Sequence, residues 1–416
     1  MKRHFIILII CLLQLSAKGQ DLNSYLLEAA QNNPELKAQY YRYNAALERI
    51  DQQNALPDPT VSFGYFISPV ETRVGPQRFK LSVSQMFPWM GSLKAKEALA
   101  ASTAQVEFEK FQELKNALFQ QVKLAYLDLY ILDQELILKE EDIEVLKSYE
   151  PISKTKYEAN LVSLSDLIRV QIAIENAQAE VEVMMSKRAS LLSQFNTLLN
   201  RQIETDVVVL ELPEIINQEQ TLDSALVNHP SIIRAKSQLA ASEKQIEWSN
   251  RSTKPNIGIG LDYAFVDRRT DMDVTDNGKD ILMPMVSLSL PIFNKRNKAI
   301  NKEAQMIRSS AISALEAAED RIKNSWTSFD YQKEKSEIEL KQLTREMKQT
   351  ELLLSVLLSE YSNNNSNFEE LLATQQKFLQ LQLALIEVEK QLYQAQFLQE
   401  YLTGQTLNEF KAYETE

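Results

Sequence analysis

The chain has 416 residues, 44% of them apolar and 25% charged, with a formal net charge of −12. That balance permits a large core and argues against nucleic-acid binding, because phosphate contacts need a basic surface. Glycine is scarce, at 8 residues, and glycine and proline sit mainly in a few short windows, so long helices with localised exceptions dominate the reading.

The first 19 residues read as a secretory signal. Lys2, Arg3 and His4 give a positive start, Phe5 to Leu15 an apolar run too short to cross a bilayer, and Ala17-Lys18-Gly19 a small-residue cleavage site. Cleavage would remove Lys2, Arg3 and Lys18 and take the charge from −12 to −15. The single cysteine, Cys11, lies in this segment behind Ile10, so the mature chain is expected to hold no disulfide and no thiolate site. No other long apolar run suggests a transmembrane helix.

Residues 22–54 open the mature chain as a helical segment, and glycines and prolines collect after it. Val61, Phe63, Tyr65 and Ile67 alternate with small or aromatic residues, and Phe79, Leu81, Val83 and Phe87 alternate with Lys80, Ser82, Ser84 and Met86. Period-two alternation predicts strands over about 58–68 and 78–88. A helix of about 92–158 follows. No glycine occurs between Gly91 and Gly258, and Pro151 is the only proline between Pro88 and Pro213, so a kink is expected there instead of a stop. Two apolar seams run along it, Leu118-Val122-Ala125-Leu129-Leu132-Leu136-Ile143-Leu146 and Leu124-Leu127-Ile131-Leu138. Two seams imply neighbours on both sides. At about 1.5 Å per residue such a helix is on the order of 100 Å long. A return helix is expected over about 163–200.

The pattern then repeats. Asn33-Pro34, Ala45, Ile50, Pro59 and Gly64 answer to His229-Pro230, Ala241, Ile246, Pro255 and Gly260 at an offset of 196. Tyr157, Asn160, Asp166-Leu167, Gln171 and Leu198 answer to Tyr361, Asn364, Glu370-Leu371, Gln375 and Leu402 at an offset of 204. The second seam is weaker, with Lys333, Ser336 and Thr350 interrupting Ile322, Trp326, Phe329, Leu340 and Met347. The chain is therefore expected to be two structural repeats, 20–210 and 211–416. The second opens with a helical segment at 221–252 and carries strands at about 256–266 and 282–291, a long helix at about 295–361 and a return helix at about 367–403. The class is mainly α with a β portion of two hairpins, which would be a membrane β-barrel if the strands span a bilayer.

No constellation suggests catalysis, and no cofactor or metal is expected. His4 leaves with the signal, His229 precedes a proline at a helix start, and Met184-Met185 and Met283-Pro284-Met285 read as packing. The stretch 267–280 only partly fits a calcium loop: Asp271 and Asp273 match ligand positions, but Thr275, Asp276 and Leu282 do not, and a solvated loop fits better. The helix tips are more informative. Asn160 and Asn364 stand where each long helix must reverse, and asparagine tolerates the left-handed conformation that a reversal needs. Asp166 and Glu370 place an acid in the first turn of each return helix, where the dipole favours it.

Four strands of about ten residues suit tilted bilayer crossings, but four strands cannot close a barrel, and an open edge in lipid leaves backbone groups without partners. If they span a membrane, several chains share one barrel, and three chains give twelve strands. The alternative is a soluble periplasmic coiled-coil scaffold or adaptor, with water-soluble hairpins in place of membrane strands.

Together the signal, the duplicated helix–hairpin–long helix–return helix order, the tip sequence (Tyr157-x-x-Asn160…Asp166-Leu167) and the junctions Phe87–Lys94 and Leu290–Arg296 resemble the TolC family of outer-membrane efflux proteins. The resemblance implies a homotrimer: a twelve-stranded β-barrel in the outer membrane continued by a twelve-helix α-barrel across the periplasm. It implies docking with a periplasmic adaptor and an inner-membrane pump of the resistance-nodulation-division type, and passive export of drugs, metal ions or secreted proteins. It makes Asn160 and Asn364 candidates for adaptor docking, and Glu370, with Asp166 second, a candidate for an acidic ring that narrows the duct. Ala373 and Thr374 stand where a second ring would be, and the chain ends sooner after its last helix than many relatives.

Overall fold

The computed structural model describes residues 21–210, 212, 220–363 and 368–407. In chain order the elements are α1 (Leu22–Asn32), α2 (Pro34–Asn54), β1 (Thr60–Val70), β2 (Gln77–Phe87), α3 (Ser92–Glu158), α4 (Leu164–Leu198), α5 (Leu222–Asn228), α6 (Pro230–Ser252), β3 (Asn256–Val266), β4 (Ile281–Ser289), α7 (Asn294–Ser362) and α8 (Phe368–Thr403). The duplicated helix–hairpin–long helix order is thus present. β1 begins and ends two residues later than the alternation indicated, and each opening helical segment consists of two helices. Those segments break at Asn33 and His229, both immediately before a proline, where the ring disfavours the helical conformation of the preceding residue.

The described residues form two compact units. One combines the sheet with the adjoining helical stretches, Gln39–Phe111 and Ser231–Ala318. Its four strands make one antiparallel sheet in the order β1-β2-β3-β4, so the two hairpins join through β2 and β3, far apart in sequence. The register sets Phe63 opposite Leu81, Leu81 opposite Tyr263, and Tyr263 opposite Leu282. One face is therefore a continuous apolar surface, and it is exposed: Phe63 is 67% accessible and Ile67 92%. The opposite face carries Ser62, Ser82, Asp262 and Met283 in one row and Gly64, Lys80 and Ala264 in the next. β1 and β4 each have one unpaired edge. Below the strands the helices lie side by side as α2, α3, α6 and α7. Gln39 donates to Glu107 Oε2 at 2.8 Å, Ser92 Oγ to Arg251 O at 3.4 Å, and Arg308 pairs with Glu243 at 3.5 Å.

The second unit is helical, built on Gln112–Pro230 and Glu319 onward with the N-terminal stretch to Ala38. Both seams of α3 are used: Leu118, Val122, Leu129, Leu132, Ile143 and Leu146 of the first are buried, and Leu127 and Ile131 of the second. The helix runs through Pro151 without ending. One of the polar breaks in the second copy's seam acquires a partner on α8. Ser336 is buried and donates to Gln391 Oε1 at 3.4 Å, and Gln332 donates to the same atom at 2.9 Å. Arg201 pairs with Glu28 and lies 5.1 Å over the Tyr25 ring, while Tyr25 meets Phe195 edge-on at 5.1 Å. His229 caps α5, packs edge-on against Tyr401 at 5.0 Å, and is held by burial at a pKa of about 4, hence neutral.

Candidate channel wall and helical tip

The polar face of the sheet is lined with small side chains. Ser62, Ser82, Ser84, Ser287, Ser289, Gly64, Gly258 and Gly260 alternate with the exposed apolar residues along all four strands. Lys80 forms an ion pair with the buried Asp262, so the one acid on this face of β3 is neutralised within the sheet. A β-sheet apolar on one side and small and polar on the other matches the wall of a water-filled barrel in a bilayer.

At the far end of the sheet the two hairpin loops interlock. Asp267 N–H donates to Pro76 O at 2.8 Å, Gly278 N–H to Val74 O at 2.7 Å, and Arg269 reaches Arg73 O at 3.3 Å. Gly75, at φ +130°, is packed so closely that a Cβ there would overlap the Asp267 carbonyl. Asp271, the first candidate of the calcium-loop reading, pairs with Arg269 at 2.6 Å, which holds its carboxyl down to about 2. Asp276 pairs with Lys279. Among the described residues no cluster of three or more metal-ligating side chains exists.

In the helical unit, the ends of α3 and α7 and the starts of α4 and α8 share one core of Ile143, Leu146, Tyr149, Val170, Ile174, Leu357, Tyr361, Phe368 and Leu371. Asn160 takes the left-handed conformation at φ 56°, and the Leu161 N–H returns to Lys156 O at 2.9 Å, closing α3 as the residue type suggested. Asn364 lies outside the described residues. Asp166 sits in the first turn of α4, its N–H bonded to Ser163 O at 3.2 Å. Glu370 is exposed in the first turn of α8, and its carbonyl accepts from Thr374 Oγ1 at 2.8 Å.

Sequence reasoning overlooked several residues around these acids. Arg169 of α4 pairs with Glu369 of α8 at 2.6 Å, next to Glu370. Lys156 donates to Tyr361 O and stands 4.7 Å over its ring. The buried Asp142 of α3 accepts from Gln375 Nε2 of α8 at 2.7 Å, and burial raises its carboxyl above the usual range against the opposing pull of Gln375 and Lys139. The repeat supplied one usable signal. Gln171, the counterpart of Gln375, likewise donates to an acid of α3, Glu150, at 3.1 Å.

No helix among the described residues is long and apolar enough to cross a membrane. The exposed apolar surface of the sheet is itself the membrane-facing candidate. Residues 26–200 match the family model described as "Outer membrane efflux protein". No curated protein matches the chain. Among solved structures, the outer membrane protein VceC of Vibrio cholerae is similar with a TM-score of 0.76 at 15% identity, over 92% of this chain and 96% of that one. CusC gives 0.77 at 14% identity, over 93% and 92%. The open state of the MtrE outer membrane channel of Neisseria gonorrhoeae gives 0.70 at 17% identity, over 92% and 88%. At such identities these likenesses speak for the fold. Residues 26–200, the first repeat, thus match the outer membrane efflux protein family, and the paired hairpins feeding two long helices give the chain the fold of these outer-membrane channels.

Proposed function

We propose that three copies of the chain form one duct, with twelve strands closing a barrel in the outer membrane and twelve helices continuing it as a tube into the periplasm. The observation that carries this is the sheet itself: β1 and β4 have open edges, and the apolar face between them is exposed. Unpaired backbone groups in lipid cost several kcal/mol each by the order of magnitude for such groups, so edge must meet edge in another copy. The two repeats, 20–210 and 211–416 after cleavage of 1–19, each contribute one hairpin and one pair of long helices.

The duct is passive. A periplasmic adaptor engages the reversals at Asn160 and Asn364, and an inner-membrane pump of the resistance-nodulation-division type drives small molecules, drugs or metal ions through it. Glu370, recurring three times about the axis, forms the acidic constriction, with Asp166 as its counterpart in the first repeat. The left-handed Asn160 and the exposed carboxylate of Glu370 support these assignments. The test is the mass of the detergent-extracted protein, which should be three chains. A stable, folded monomer in detergent would overturn the barrel. Cysteine cross-linking from Asn160→Cys to the co-expressed adaptor tests the docking separately.

A further inference from the structure

Beside the core that joins the helix ends, α3, α7 and α8 enclose a cavity of about 390 Å³. Small-molecule sites occupy roughly 300–1,000 Å³, so the space suits a compact organic ligand. Its apolar lining includes Val145 of α3, Leu354 and Leu358 of α7, and Phe378 of α8. Three acids share the lining, Glu141 and Asp142 of α3 and Glu351 of α7, and no lysine or arginine does. The cations that flank these acids in α3 are engaged elsewhere, Lys139 with Glu180 and Lys147 with Glu144. Among the described residues none of the three acids has an ion-pair partner.

Asp142 stands apart from the other two. Only 6% of its surface is exposed, yet it lines the cavity. Its Oδ1 accepts from Gln375, which in turn accepts from the Tyr149 hydroxyl at 3.4 Å. Its Oδ2 has no hydrogen-bond partner among the described residues. Burying a carboxyl oxygen without a partner costs free energy, and the large majority of buried polar atoms have one. An unpaired oxygen at the wall of a cavity therefore points to a ligand that pairs with it. The acids are spread around the cavity and do not converge: among the described residues no three such side chains are placed to hold a metal ion. With Tyr149 and Phe378 beside them, they suit one positive charge on a carbon skeleton better than a divalent ion.

We propose that this cavity binds an organic monocation with a flat apolar body, its charge against Asp142 Oδ2 and its body against Leu354, Leu358 and Phe378. Glu141 and Glu351 add attraction from the rim. The site is built by one chain, so it stands apart from the number of copies that close the duct. A bound cation favours the ionised carboxylate, so the proton that burial leaves on Asp142 passes to the solvent as the cation enters. Affinity therefore rises with pH. The other titratable groups around Asp142 are Glu141, Tyr149 and the Lys139–Glu180 pair from α3 and α4, and Glu351 from α7; α8 brings none to the lining.

The test is fluorescence anisotropy of the acridine cation proflavine, titrated with the full-length, detergent-extracted protein. Binding should saturate and should tighten as pH rises from acid to neutral. Asp142→Asn keeps an acceptor for Gln375 and should weaken binding about tenfold, the equivalent of about 1.4 kcal/mol. It should also remove the part of the pH dependence that lies above the ordinary carboxylate range. Glu351→Gln, at an exposed position, should weaken binding only about threefold, and Val145→Trp, which fills the cavity, should abolish it. Glu140→Gln, exposed on α3 but outside the cavity, should change nothing. Equal affinity in the parent and in Asp142→Asn would overturn the proposal. So would equally tight binding of acridine under mildly alkaline conditions, where it is uncharged, because apolar contact alone would then suffice. Magnesium ion displacing proflavine as effectively as unlabelled cation would make this a metal site and overturn the organic assignment. Binding that is lost in Glu370→Gln but kept in Asp142→Asn would put the cation at the duct's constriction, with the same result.

Discussion

Asp142 of α3 and Gln375 of α8 meet at 2.7 Å in the core of the helical unit, with the Tyr149 hydroxyl 3.4 Å from the same glutamine. The bond crosses between the two repeats and involves a carboxyl that burial pushes above its ordinary range. Around it stand Lys139, paired with Glu180 of α4, and Glu141 and Glu351 on the lining of the adjacent cavity. The folded chain therefore keeps the Asp142 proton over a window in which the unfolded chain has lost it. Stability falls as pH rises through that window and stays lowered above it. Asp142→Asn keeps an acceptor for Gln375 and removes the buried charge. It should be more stable than the parent at neutral pH and equal to it in acid, as read from melting temperature against pH. Identical melting at every pH would show that Asp142 carries no such cost.

The two faces of the sheet are separable by one pair of substitutions. Phe63 is on the apolar face, whereas a side chain at Gly64 meets nothing within 4 Å. Arginine facing the lipid near the middle of a strand costs about 2–4 kcal/mol. Phe63→Arg should lose assembled protein from the outer membrane, and Gly64→Arg should assemble and conduct less. Gly258 is a poorer probe of the polar face, because any Cβ there would overlap Ser287 Oγ. Equal yields of the two variants would count against the assignment of faces.

Glu370 makes a prediction in conductance. Three carboxylates converging on a narrow passage concentrate cations, and the effect weakens with salt. Planar-bilayer recordings should show cation preference and block by divalent ions from the periplasmic side, and Glu370→Gln should reduce both. Trimer yield should hardly change, since an acid in an exposed first turn contributes only about 0.3–1 kcal/mol. Asp166→Asn is expected to have the smaller effect. Unchanged selectivity in Glu370→Gln would leave that carboxylate a helix-start charge and nothing more.

The interlocked hairpin loops predict a backbone effect. A methyl at Gly75 collides with the Asp267 carbonyl, a backbone atom that cannot swing away, and the residue's φ of +130° is poorly tolerated by L side chains. Gly75→Ala should separate the loops and make the 267–280 segment a site of cleavage by protease added to intact cells. A cleavage pattern equal to that of the parent would mean that the loops are held by their other contacts.

Most of the fold was legible because it depends on period and punctuation. Strand alternation, the glycine-free run from Gly91 to Gly258 and the 204-residue offset each mark an element by residues near one another in sequence. The offset even pairs Asn200 with Gly404, and both take the left-handed conformation, at φ 57° and 65°, just past the ends of α4 and α8. The splits at Asn33 and His229 are legible as the prolines that follow them, and His229 reads as standing at a helix start. What the sequence hid were long-range polar partners. Nothing near Arg169 points to Glu369, and nothing near Lys123 points to Glu400 or Thr406. Such pairs form because packing brings distant helix faces together, and many other charged residues on those faces have no such role.

The joining of the two hairpins through β2 and β3 has a counting consequence. That seam is written into every chain, whereas the seam between β1 and β4 can only be made by meeting another copy. Any closed ring made from this chain therefore gains or loses strands four at a time, and its circumference is quantised by whole subunits. In the proposed trimer, a ring one chain short would lack four of twelve strands, a gap far too wide for tilt to close, so such a partial assembly would have no stable home in the bilayer.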